Sequence, residues 1–176
     1  MLVELMYMLN AGAEDATIGV NAQITGGSVI SGHAAPDAVT VYNQIEHSWV
    51  ARRKLNTEDA GVTFPALAIF QGGPGVLEPE VGTIYRRGDY PIVFAQIRKK
   101  SDSALGFRQA GYTNRAVYRF LRDFMENAQT ATMRTQNGII ISQLTQLGEP
   151  PVIEDWDKVE VVAAVTATFK LRETSP

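Results

Sequence analysis

The residues of this chain whose types suit chemistry are two histidines, a cluster of acids, a few basic runs and two glycine-rich loops. His47 has Glu46 beside it, but adjacent residues on a helix point apart and do not make a base and its orienting acid. With Arg52, these two are the least implausible lining of an enzyme pocket. His33 lies in a glycine-rich stretch, and no third or fourth ligand stands at a zinc spacing from either histidine. Glu149, Glu154, Asp155 and Asp157 offer oxygen ligands of the kind calcium takes, without the D-x-D-x-D-G order of a calcium loop. A solvated, strand-shielding loop is the expected role. Glycines 26, 27 and 32 and glycines 72, 73 and 75 are followed by no Lys-Ser/Thr and fit no G-x-G-x-x-G register, so turn geometry accounts for them. No G-x-S-x-G elbow occurs. The tripeptide Arg87-Gly88-Asp89 spells a cell-adhesion motif, yet it reads as the tip of a hairpin, where Gly-Asp is ordinary turn chemistry. Arg52-Arg53-Lys54, Arg86-Arg87 and Arg98-Lys99-Lys100 each suit a phosphate, but no aromatics interleave with them as in a single-strand binding surface. They read as solvated element ends, or as partners for acids on a neighbouring subunit. No catalytic residue, cofactor or metal is expected.

The elements that must position these residues come from periodicity. From Val159 to Leu171 every odd position is apolar, and Glu160, Thr166, Thr168, Lys170 and Arg172 occupy even ones. That is a strand of period two, longer than most. Val162 and Ala164 interrupt the polar face, so that face is expected to be covered mid-strand. A strand this long should project beyond the helix above it and offer part of itself to a neighbour. Ala116, Val117, Phe120, Leu121, Phe124 and Met125 form a helical stripe that suits a sheet face, with Thr113 or Asn114 as the cap. Residues 2–9 predict a short helix. Pro36-Asp37 and the spacing of Val41, Tyr42, Ile45 and Trp49 predict a second helix over 37–55. Phe64–Phe70 reads as a buried strand begun by Pro65. Residues 80–86 and 90–99 read as a strand pair, Asn137-Gly138 as a turn, and 139–147 as a strand. Residues 10–36 are dominated by small and polar types. They read as extended and loop-rich, with strands near Val20–Ile24 and Ser28–Ser31, ordered by the main sheet or by a neighbouring subunit.

Composition sets the outer bounds. The chain has 176 residues, 45% hydrophobic and 20% charged, enough for one domain with its own core. The formal charge of −3 and pI near 5.4 argue against an obligate nucleic-acid binder. With no cysteines there are no disulfides and no thiolate sites. The segment MLVELMYMLN carries Glu4, no basic flank and no small-residue cleavage site, against a signal peptide. No stretch approaches the ~18 apolar residues of a membrane span. The expectation is α+β: a mixed or antiparallel sheet with amphipathic helices packed on it and a long C-terminal strand.

This order of elements over 62–174 resembles the tail terminator family of tailed bacteriophages. The resemblance rests on Phe64-Pro65-Ala66-Leu67-Ala68-Ile69-Phe70, on strand 90–99 feeding helix 113–127, and on closing strands 138–147 and 158–172 with Arg172-Glu173-Thr174-Ser175-Pro176 just after. It implies a structural virion protein, made in the host cytoplasm and resident in the phage tail or neck. Such a protein forms a homo-oligomeric ring, a hexamer, that caps the tail tube protein and meets the head-tail connector or stopper protein. It implies no membrane and no sequence-specific nucleic acid, the genome passing through the ring. Other readings are a head-completion stopper or tail tube protein, a small α/β enzyme, or a host-side binding module. The stretch 10–62 is longer than a compact family member needs.

Overall fold

The alternation over 159–171 does fold as a strand, and the sheet is organised around it. The computed structural model describes residues 1–56, 61–100, 103–127, 130–150 and 154–174, with backbone only for 103–108. Along the chain run α1 (Leu2–Glu14), α2 (Val20–Thr25), β1 (Thr40–Asn43), α3 (Ser48–Arg52), β2 (Ala66–Gln71), β3 (Val76–Pro79) and β4 (Arg86–Lys99). There follow α4 (Ser103–Glu126), β5 (Thr135–Gln136), β6 (Ile139–Gly148), β7 (Glu154–Trp156) and β8 (Val159–Glu173). Among the described residues the strands form one sheet of order β1-β2-β4-β8-β6-β5, with β3 on β4 and β7 on β8. Only β1 and β2 are parallel, so the sheet is mixed and the fold is α+β.

The two long strands β4 and β8 pair antiparallel along almost their whole length. Opposite Gln96 and Ile97 the register slips by one residue on β8, at Val162. A bulge of this kind reverses which face the following side chains meet. Val165, Ala167, Phe169 and Leu171 therefore join the core beneath the helices, whereas Val159 and Val161 join a second core on the other face. The unbroken run of odd apolar positions is thus two half-strands of opposite phase. Ala164, on the nominally polar face, is buried in the second core, as its type predicts.

The first core lies between the sheet and α1, α2 and α4. The α4 stripe meets it as expected, with Val117, Phe120, Leu121 and Phe124 fully buried. Phe94 of β4 sits between Phe120 and Phe169, with ring centroids 6.3 and 6.4 Å away. Gly12 lets α1 close on α4, since a Cβ there would stand 2.7 Å from the Phe124 ring. The second core packs Trp49 and Val50 of α3 and Trp156 of β7 on Tyr42, Ala68, Phe70, Ala95 and Ile97.

Four expectations are corrected. The predicted helix over 37–55 is β1, a turn and the short α3. Val41 and Tyr42 go to opposite cores, as strand neighbours do. The buried Asn43 then turns the chain by accepting the N–H groups of Ile45 and Glu46 through its side chain. Helix α4 begins ten residues before Thr113, so neither Thr113 nor Asn114 caps it. Thr113 instead donates to the Gln109 carbonyl and Asn114 to the Ala164 carbonyl. In place of strands near Val20–Ile24 and Ser28–Ser31 the chain continues α1 to Glu14 and forms α2. Asp15 shapes the link, its carboxylate accepting from the Thr17 hydroxyl at 2.6 Å and from the Thr17 and Ile18 amides. Finally, Arg87-Gly88-Asp89 lies inside β4 rather than at a hairpin tip. The tip is Glu80–Tyr85, closed by the Glu80 N–H donating to Tyr85 O, with Gly82 at φ 78°. The predicted strand over 80–86 is corrected with it: those residues are mostly the tip, and the strand that pairs with the start of β4 is β3, Val76–Pro79. Elsewhere α1 covers 2–9, β2 begins just after Pro65, Asn137-Gly138 turns, and β6 follows, as expected. Pro151, Ser175 and Pro176 lie outside the described residues.

Candidate interaction surface

The residues proposed for chemistry are placed apart and engaged locally. Glu46 accepts from the Asn43 amide, and His47 stands at the start of α3, edge-on to the Tyr42 ring at 4.8 Å. Arg52 donates to Ser48 one turn earlier. His33 meets the Tyr112 hydroxyl of α4 at 3.2 Å. That hydroxyl also accepts the Ile30 N–H, while Asn21 exchanges two hydrogen bonds with the Val39 backbone. The stretch before β1 is thereby laid on α2 and α4 of its own chain.

The acids disperse too. Glu154 accepts from the Trp156 indole, Asp155 pairs with Lys100 at 2.8 Å, and Asp157 takes the left-handed turn position before β8. Glu149 lies by Tyr118; burial first, and then this carboxylate, pushes the Tyr118 hydroxyl up. Among the described residues no three His, Asp or Glu gather as a metal-binding group. The basic runs are used within the chain. Arg53 stacks over Phe70, Arg87 and Arg172 both donate to Glu80, Lys99 lies over Phe64, and the buried Arg98 bonds Gln109 and pairs with Asp37. At Glu80 partial desolvation acts upward, but the hydrogen bonds from Arg87 and Arg172 outweigh it and hold the carboxyl below its ordinary value.

The surface that remains unsatisfied is the outer half of the sheet. There β3, the first part of β4, the last part of β8 and β6 form an antiparallel ribbon. Its inner face packs in part against α1 and α4, through Ile139, Ile141, Phe169 and Leu171. Its other face, lined by Glu78, Arg87, Asp89, Gln143, Lys170 and Arg172, is an open polar groove of about 410 Å³. β4 flanks β8 from Val159 to Arg172, while on the far side β7 pairs Val159–Val161 and β6 pairs Thr166–Glu173. Most of β8 is thus held within the sheet. In the outer half, among the described residues, the free edges are those of β3 and β6. The middle of β6 carries register slips at Ser142 and Thr145, whose hydroxyls donate to the Lys170 and Thr168 carbonyls. Bulges of this type blunt an edge against indiscriminate pairing. The β3–β4 hairpin is blunted less: Val76, Leu77, Val81 and Ile84 are all exposed. These four were missed in the sequence because Arg87-Gly88-Asp89 drew the turn away from Gly82.

No described helix is long and apolar enough to cross a membrane. In comparisons with protein-family models and with curated proteins, no match to this chain was found.

Proposed function

We propose that this chain is a structural virion protein, a tail terminator that forms a closed ring on the end of a phage tail tube. One observation carries the reading. Among the described residues, the outer half of the sheet has two unpaired edges and a hairpin whose Val76, Leu77, Val81 and Ile84 stand exposed. A subunit that must join copies of itself around a ring needs two different surfaces, one for each neighbour. The layout of helix on sheet with a long closing strand, which resembles the terminator family, supports the same reading. The mechanism is then steric. One ring face matches the tube end, the other does not propagate it, and the head-side connector or stopper docks there. The ring contains six copies by that resemblance, and the protein resides in the virion.

The test mixes the purified chain with a polymerising tail tube protein encoded beside it. Rings by electron microscopy and tubes of arrested length are the expected results. Single particles that leave tube growth unchanged would overturn the reading, and tubes formed by this chain alone would make it the tube protein instead.

A further inference from the structure

The two free edges of the outer sheet differ in character, and the difference is complementary. On one edge stands the β3–β4 hairpin. Val81 is 97% exposed and Ile84 72%, and both project from a tip that Arg87 and Arg172 hold through Glu80. Val76 and Leu77 on β3 are exposed as well, so the hairpin carries four bare aliphatic side chains, and apolar surface gathered in this way marks interaction sites. On the other edge, α4 and β6 enclose a groove of about 470 Å³ lined in equal number by apolar and polar side chains, with Leu121, Met125, Leu144 and Leu147 along it and Tyr118 at one wall. This is the size range of pockets that take up whole apolar groups. Leu147 lies half-exposed at its mouth.

The charges match as well. The groove carries two cations, Arg122 and Arg134, against one acid, Glu126. Glu78 stands exposed on β3 and makes no ion pair among the described residues. The hairpin and the groove lie on opposite sides of the sheet, separated by β4 and β8, so one chain cannot bring its own hairpin to its own groove. A second copy can.

We infer that the β3–β4 hairpin of one copy seats Val81 and Ile84 in the α4–β6 groove of the next, with Glu78 reaching Arg134. This contact is heterologous: each copy gives its hairpin to one neighbour and its groove to the other. The inference rests on the ring reading and names the surfaces that make the ring.

The test compares the full chain with a hairpin variant, Val81→Asp/Ile84→Asp, and a groove variant, Leu147→Asp, by light scattering after size separation. Thermal melting checks that each is folded. The wild type is expected as a ring and each variant alone as a monomer. An equal mixture of the two variants should give a two-subunit particle, because it holds one intact hairpin and one intact groove. A second measurement does not depend on charge insertion. The chain has no cysteine, so Ile84→Cys/Leu147→Cys should oxidise to a covalent ladder ending at the ring size. Variants that keep the wild-type size, a mixture that stays monomeric, or a double-cysteine protein that forms no ladder while still forming rings would overturn the inference and leave the ring reading standing. A wild type that stays monomeric both free and on tubes would overturn the ring reading itself.

Discussion

The two halves of the sheet solve the same problem differently. In the inner half, where β2, β4 and β8 run together, both faces are covered: helices on one side, Trp49 and Trp156 on the other. In the outer half only the helix side is covered, the opposite face is charged, and the connecting hairpin is apolar and bare. The inner half satisfies its apolar surface within the chain. The outer half leaves two strand edges unpaired among the described residues and aliphatic side chains exposed. Stability should therefore be concentrated in one half and association in the other.

Deleting Val162 breaks that division most severely. Without the bulge, Val159 and Val161 turn from the Trp156 side toward α4, or β8 loses its pairing with β7. Two valines leave their core, at about 1.5–3 kcal/mol each, so a loss of about 3–6 kcal/mol is expected in denaturant unfolding. A stability unchanged within error would mean that the phase reversal is not needed.

Gln96→Leu sharpens the comparison in the other direction. Gln96 is 1% exposed within the inner half, and among the described residues neither its amide nitrogen nor its oxygen has a hydrogen-bond partner. Removing an unpaired buried amide is expected to raise stability by about 1–2 kcal/mol in the same measurement. A fall would show that the amide is satisfied by bound water.

Asp15 tests how firmly the N-terminal helices are clamped over the sheet. The Thr17 hydroxyl, followed by the Ile18 and Thr17 amides, holds its carboxyl below the ordinary 3.8. The group is depressed in the folded state, so its contribution is present above that ordinary value and is lost as pH falls through the lowered one. Asp15→Ala should cost about 1 kcal/mol near neutrality, by analogy with a lost cap. The gap from wild type should close as pH falls through the lowered value. A gap independent of pH would assign the loss to packing.

The smallest effect is expected in the outer half. Val81→Asp should change the stability of the isolated chain by less than about 0.5 kcal/mol, because its side chain touches little in the monomer. A large loss would place the tip inside the chain's own core and erase the contrast between the halves.

What the sequence displays of this arrangement follows the range of the forces involved. The α4 stripe is local and legible, because Phe120 and Phe124 fall on one helical face whatever they pack against. The strand at 159–171 is legible as a strand, but its reversal at Val162 depends on the partner register on β4. The only trace was apolar Val162 and Ala164 where polar residues were due. Strand β1 was hidden because Val41, Tyr42, Ile45 and Trp49 also fit a helical spacing. What decides against the helix is a parallel pairing with Ala66–Ile69, distant in the chain. In the candidate surface, individual charges were visible, but their pairing within the chain was not. Glu80, which gathers Arg87 and Arg172, is 92 residues from the second of these.

The loop ahead of β1 carries one more consequence. It is pinned at Ile30 and His33 by the Tyr112 hydroxyl and at Val39 by Asn21, while Ala34 and Ala35 between these clips are exposed. Both clips lie outside those two residues. An affinity peptide or a heavy-atom label inserted between the two alanines would leave both clips and the sheet untouched. In the proposed ring it would give every copy a visible landmark, from which its orientation could be read in projection images.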